Sequence, residues 1–131
     1  MRKIIESIEL PTIYSGDKVS SSVKKVVDQL VNVMVHYDNN KDGIQSSDEN
    51  FTFTVECEPV SYNGKIRKEV SVDYRGKETL EGDHFDLDTG MTAIIIVASI
   101  TNRSINVSYS NGFLDDKLTV ILLKDILKYI S

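Results

Sequence analysis

From Ser20 to Tyr37 the apolar residues Val23, Val26, Val27, Leu30, Val33, Met34 and Tyr37 recur at three- and four-residue steps. That spacing is one face of an α-helix, and Ser20 to Ser22 supply hydroxyls able to cap its first turn. A competing pattern overlaps its end, because Val31, Val33, Val35 and Tyr37 alternate and valine suits strands. The opening, Arg2 to Leu10, also alternates in part before Pro11 and Gly16 interrupt it. Helix is the reading taken for Ser20 to Tyr37, and Arg2 to Leu10 stays open between types.

The middle of the chain has a period of two. Phe51, Phe53, Val55 and Cys57 alternate with Thr52, Thr54, Glu56 and Glu58, the pattern of a half-buried antiparallel strand. Asn63-Gly64 offers the positive-φ pair of a tight hairpin, and Val70, Val72 and Tyr74 continue the alternation on a returning strand. A second hairpin is predicted from Thr92 to Ile100 and from Ser104 to Tyr109. Its first arm contains Ile94-Ile95-Ile96-Val97, apolar on both faces and therefore expected to be covered on both.

Asp115 to Ile130 returns to helical spacing through Leu118, Ile121, Leu122, Ile126 and Ile130. Acidic residues stand at its start and Lys124 and Lys128 near its finish, the order a helix dipole favours. A strand over Leu118 to Leu123 with one short helix after it is the alternative. The fold expected is one α+β domain over residues 1–131: an antiparallel sheet of about four or more strands, packed by a helix in the N-terminal half and a C-terminal helix.

Composition narrows the function classes. The chain has 131 residues, 40% of them hydrophobic, enough for a real core. Twenty Asp and Glu against 15 Lys and Arg give a formal charge of -5. Nucleic acid is then a poor partner, since phosphate binding needs a basic face, and a basic protein is a better one. A single cysteine excludes an internal disulfide framework and fits a reducing compartment. No apolar run reaches the roughly 18 residues of a membrane helix, and no signal-peptide core is present. A cytoplasmic protein with no membrane partner is expected. Three glycosylation sequons, beginning at Asn50, Asn102 and Asn106, carry no weight without a secretory route.

One segment matches a chemical template throughout. Asp38-Asn39-Asn40-Lys41-Asp42-Gly43-Ile44-Gln45-Ser46-Ser47-Asp48-Glu49 satisfies D-x-[DN]-x-[DN]-G-x5-E. Carboxylates of Asp38, Asp42 and Glu49, the amide oxygen of Asn40, the Ile44 carbonyl and a water held by Ser46 would supply the oxygens calcium requires. Over these twelve residues the chain resembles an EF-hand, which implies a calcium site; no cofactor is expected to be required. Three features depart from that family: Gln45 occupies the usually apolar eighth position, a second loop is missing, and the exit alternates like a strand. A polar connection built from ordinary turn residues explains the same segment.

Other chemistry is thinner. Asp88-Thr89-Gly90 resembles the aspartic-protease turn for three residues only, without the apolar strand before it or the apolar-apolar-Gly element after it. Asp83, His84, Asp86 and Asp88 hold metal-ligand types, but in an extended segment Asp83 faces away from the other three. Cys57 with His36 or His84 has the composition of a thiol nucleophile and base, yet Cys57 shares the apolar face of its strand and reads as a small buried hydrophobe. The stripe from Val23 to Met34 is core. Phosphate loops, dinucleotide glycine patterns, C-x-x-C pairs and nucleophile elbows are all missing from the sequence.

The expectation is a non-enzymatic binding protein that neutralises or escorts a basic protein, in the build of bacterial immunity proteins that act as toxin inhibitors, or of secretion chaperones. Asp83, Asp86, Asp88, Asp115 and Asp116 are the expected partner-binding residues, with a cognate toxin as the partner type. A calcium-binding module centred on residues 38–49 is the alternative.

Overall fold

A computed structural model describes residues 10–36, 43–48, 50–57, 65–74 and 91–131. In chain order its elements are β1 (Thr12–Gly16), α1 (Ser21–Val35), β2 (Gly43–Asp48), β3 (Phe51–Cys57), β4 (Ile66–Tyr74), β5 (Met91–Ile100), β6 (Ile105–Asn111) and α2 (Asp116–Ile130). Among the described residues the strands form one six-stranded sheet in the order β1-β6-β5-β4-β3-β2.

Both helices begin on side-chain caps. The Ser20 hydroxyl accepts from Val23 N at 3.4 Å, and an Asp115 carboxylate oxygen accepts from Leu118 N at 2.8 Å, each satisfying a donor that the first turn leaves free. Val23, Val26, Val27, Leu30, Val31 and Met34 are the buried stripe of α1; Thr119, Leu122, Leu123, Ile126 and Ile130 are that of α2. The alternating valines therefore belong to a helix through Val35, and Leu118 to Leu123 are helical as expected, not the strand that was the alternative. At the far end of α1, Lys68 on β4 is buried and donates its ammonium to the Val35 carbonyl at 3.3 Å, complementing the helix C-terminus.

The two helices lie together on one face of the sheet. Phe51, Phe53 and Val55 of β3, Val70, Val72 and Tyr74 of β4, Ile94, Ile96 and Ala98 of β5, and Val107 and Tyr109 of β6 join the helix stripes in one core. Phe53 meets Tyr129 of α2 edge-on, with centroids 5.5 Å apart, a favoured aromatic geometry. The opposite face presents Thr52, Thr54, Ser71, Ser99, Ser108 and Ser110, with half-buried Ile95 and Val97 among them.

Two expectations need correction. The sheet is mixed, because β1 runs parallel to β6 with Tyr14 opposite Val107, while every other neighbouring pair is antiparallel. The apolar run of β5 is covered on one side only among the described elements: Ile94 and Ile96 are fully buried, whereas Ile95 and Val97, on the other face, are half-buried. Within the segment that matches the calcium template, Gly43–Asp48 is strand β2, paired antiparallel to β3 with Ile44 opposite Thr54 and Ser46 opposite Thr52; the rest of the template lies outside the described residues. The Asn63-Gly64 turn and Arg2 to Glu9 lie outside the described residues.

Candidate functional site

The strand register sorts the connections between two ends of the sheet. Phe51, Tyr74 and Met91 stand side by side across β3, β4 and β5. At that same end β1 passes into α1 and β6 passes into α2. Tyr74 and Phe113 meet edge-on with centroids 6.0 Å apart, which ties the end of β4 to the connection before α2.

A polar network organises this end, with Asn111 as its hub. The Asn111 side-chain amide donates to the Tyr109 hydroxyl at 3.1 Å and to Thr119 Oγ1 at 3.0 Å, while its carbonyl oxygen accepts from Leu114 N at 3.0 Å. Its backbone N–H donates to Asp17 Oδ2 at 2.9 Å. Asp17 is held in turn by its own N–H, which donates to the Tyr109 carbonyl at 2.8 Å, and Gly112 N donates to the Ala93 carbonyl at 3.1 Å. Three strands and the start of α2 are thus pinned together. Thr119 is fully buried and Tyr109 is 4% exposed, and buried polar groups of this kind are stable only when bonded.

Beside the network lies an open cavity of about 280 Å³, lined by Val19, Val23, Phe113 and Leu114 together with Asp17, Lys18, Tyr109, Asn111 and Asp116. Burial raises the pKa of the Tyr109 hydroxyl, the Asn111 hydrogen bond opposes that shift, and the charges of Asp116 and Asp17 add to it. The phenol therefore remains protonated through neutral pH, in a negative local field.

A second tyrosine has a structural use. Tyr14 on β1 donates its hydroxyl to Asp28 of α1, and Lys24 both pairs with Asp28 at 3.0 Å and stands 4.5 Å over the Tyr14 ring. Burial, then the bond to Asp28 and its charge, raise the Tyr14 pKa. This cluster fastens the edge strand to the helix.

Asp115 and Asp116 sit at this end of the sheet, at the start of α2, and both are exposed. Asp115 has a structural duty as the helix cap, whereas Asp116 borders the cavity. Asp83, Asp86 and Asp88 lie outside the described residues, as do Asp38, Asn40, Asp42 and Glu49 of the calcium template and His84. Ile44 and Ser46 are placed on β2 by their backbones. Among the described residues no cluster of three or more His, Cys, Asp or Glu suits a metal ion. Cys57 ends β3 opposite Lys68, and His36 caps the C-terminus of α1 with its ring bonded to the Asn32 carbonyl at 2.9 Å.

Asp17, Tyr109, Asn111 and Thr119 were not singled out by the sequence. The only hint was Asn111-Gly112, an ordinary turn pair. Their meeting depends on the β1–β6 pairing, which joins segments about ninety residues apart. No helix among the described residues is long and apolar enough to cross a membrane. Comparison with protein-family models, with curated proteins and with solved structures finds no match.

Proposed function

We propose that the protein is a non-enzymatic binding module that engages a basic protein partner through the acidic end of its sheet, as an immunity protein occludes a toxin. The distribution of charge carries this reading. The described residues hold ten Lys and Arg against nine Asp and Glu, so the framework is close to neutral and the chain's -5 arises in the connections. The longest of these departs from Tyr74 and returns at Met91, residues paired directly with each other. It carries Glu78, Glu81, Asp83, Asp86 and Asp88 against Arg75 and Lys77. Its two roots adjoin the end that bears Asp17, Asp115 and Asp116. A concentrated negative field steers a cationic partner and raises its association rate, while apolar groups hold the complex.

The product of the adjacent reading frame is the natural test partner, measured by stopped-flow association at low and high salt. We expect a complex whose association slows by about tenfold or more as salt screens the field. Asparagine at positions 83, 86, 88, 115 and 116 together should slow association while changing dissociation less. Asparagine keeps the Asp115 cap, because it is as good a helix-capping residue, so the fold survives. Salt-independent association would remove the steering claim, and small-molecule turnover with no protein partner would overturn the reading.

A further inference from the structure

We infer that the cavity between the β1–α1 and β6–α2 connections receives a lysine side chain from the partner. This rests on the proposed engagement of a basic protein and names the contact that would anchor it. The cavity has the two parts such a side chain needs. Val19 and Phe113 line it and offer carbon surface to part of a four-carbon stem, and Asp17 and Asp116 line it with carboxylates for the ammonium.

The carboxylates are not consumed by the fold. One oxygen of Asp17 accepts from Asn111 N, which leaves the other oxygen. Capping of α2 is done by Asp115, not Asp116. Asn111 orients the Tyr109 hydroxyl by donating to it, so that oxygen retains a lone pair for a further donor.

An anion is the obvious rival at a helix N-terminus, where the macrodipole presents roughly half a positive charge. Here Asp115 takes an N–H of the first turn, and the two carboxylates bordering the cavity outweigh the single cation Lys18. Both Asp17 and Asp116 act on Tyr109 as negative neighbours, which supports a cationic ligand.

The test is an amide-shift titration of the whole protein with Nα-acetyl-lysine methylamide, run beside its uncharged analogue Nα-acetyl-norleucine methylamide. The lysine probe should shift the amides of Asp17, Asn111 and Gly112 saturably, and norleucine should leave them in place. An Asp17→Asn, Asp116→Asn double variant keeps an oxygen to accept from Asn111 N, and should weaken the lysine probe about fivefold or more. Equal shifts from both probes would mean an apolar site, and no lysine shift at those amides, or an unchanged double variant, would equally sink the inference. If the probe fails while the partner's association still responds to the acidic residues, only the cavity assignment falls. If the probe binds while partner association ignores those residues, the broader reading falls instead.

Discussion

Gly16→Ala is expected to destabilise the protein by about 3 kcal/mol or more. Gly16 has φ of 97°, and a Cβ there would stand 2.2 Å from the Tyr109 carbonyl oxygen. Both the left-handed backbone and the close approach demand glycine. The oxygen cannot move freely, because it accepts from Asp17 N at 2.8 Å, the bond that turns the chain from β1 toward α1. Urea denaturation should show a lower midpoint with an unchanged slope. Gly112→Ala is the control, since nothing lies within 4 Å of a Cβ at that position. Equal effects at the two glycines would refute the parallel β1–β6 pairing and, with it, the placement of Asp17 beside Asn111.

Ile96→Ala should cost about 3–4 kcal/mol, and Ile95→Ala only about 1 kcal/mol, although the residues are adjacent and identical. Ile96 is fully enclosed between the sheet and the helices, so truncation leaves a cavity as well as losing transfer free energy. Ile95 faces the other way and is only half-buried, where solvent fills the vacated space. The pair measures which face of β5 is covered. Similar losses at both positions, by urea denaturation, would mean that the hydroxyl-rich face is packed against something.

The helices and central strands were legible because each buries one side against a thick core. Val23, Val27, Leu30 and Met34 fix α1 by spacing, and Phe51, Phe53 and Val55 fix β3 by alternation. Edge strands gave weaker signals. All five residues of β1 are exposed, so Ile13 and Tyr14 follow no inward-outward pattern, and their partner strand comes about ninety residues later. In β2 the polar run Gln45-Ser46-Ser47-Asp48 consists of residues also suited to turns and calcium loops. Its pairing with β3 decided its conformation. The Ile94 to Val97 run predicts two covered faces because a continuous apolar run does not show whether a second layer lies over the other face.

The candidate site was legible only as charge. Asp115 and Asp116 stand in the sequence as acidic residues before a helix, and Asp115 is its cap. The Asn111 hub was hidden, because a buried asparagine and a turn asparagine look alike until Tyr109, Thr119 and Asp17 are brought around it. That assembly is tertiary, and a local pattern does not encode it.

The acidic end is tested most directly by mapping the protein's near-surface potential with small cationic and anionic nitroxides, comparing their relaxation of individual amide protons. The amides of Asp17, Gly112 and Asp116 should be relaxed more strongly by the cationic probe, and those of Asn102 and Arg103, at the opposite end of the sheet, should lack that preference. Raised salt should shrink the difference. Equal preference at both ends, or none at either, would contradict an acidic binding end whatever partner the protein meets.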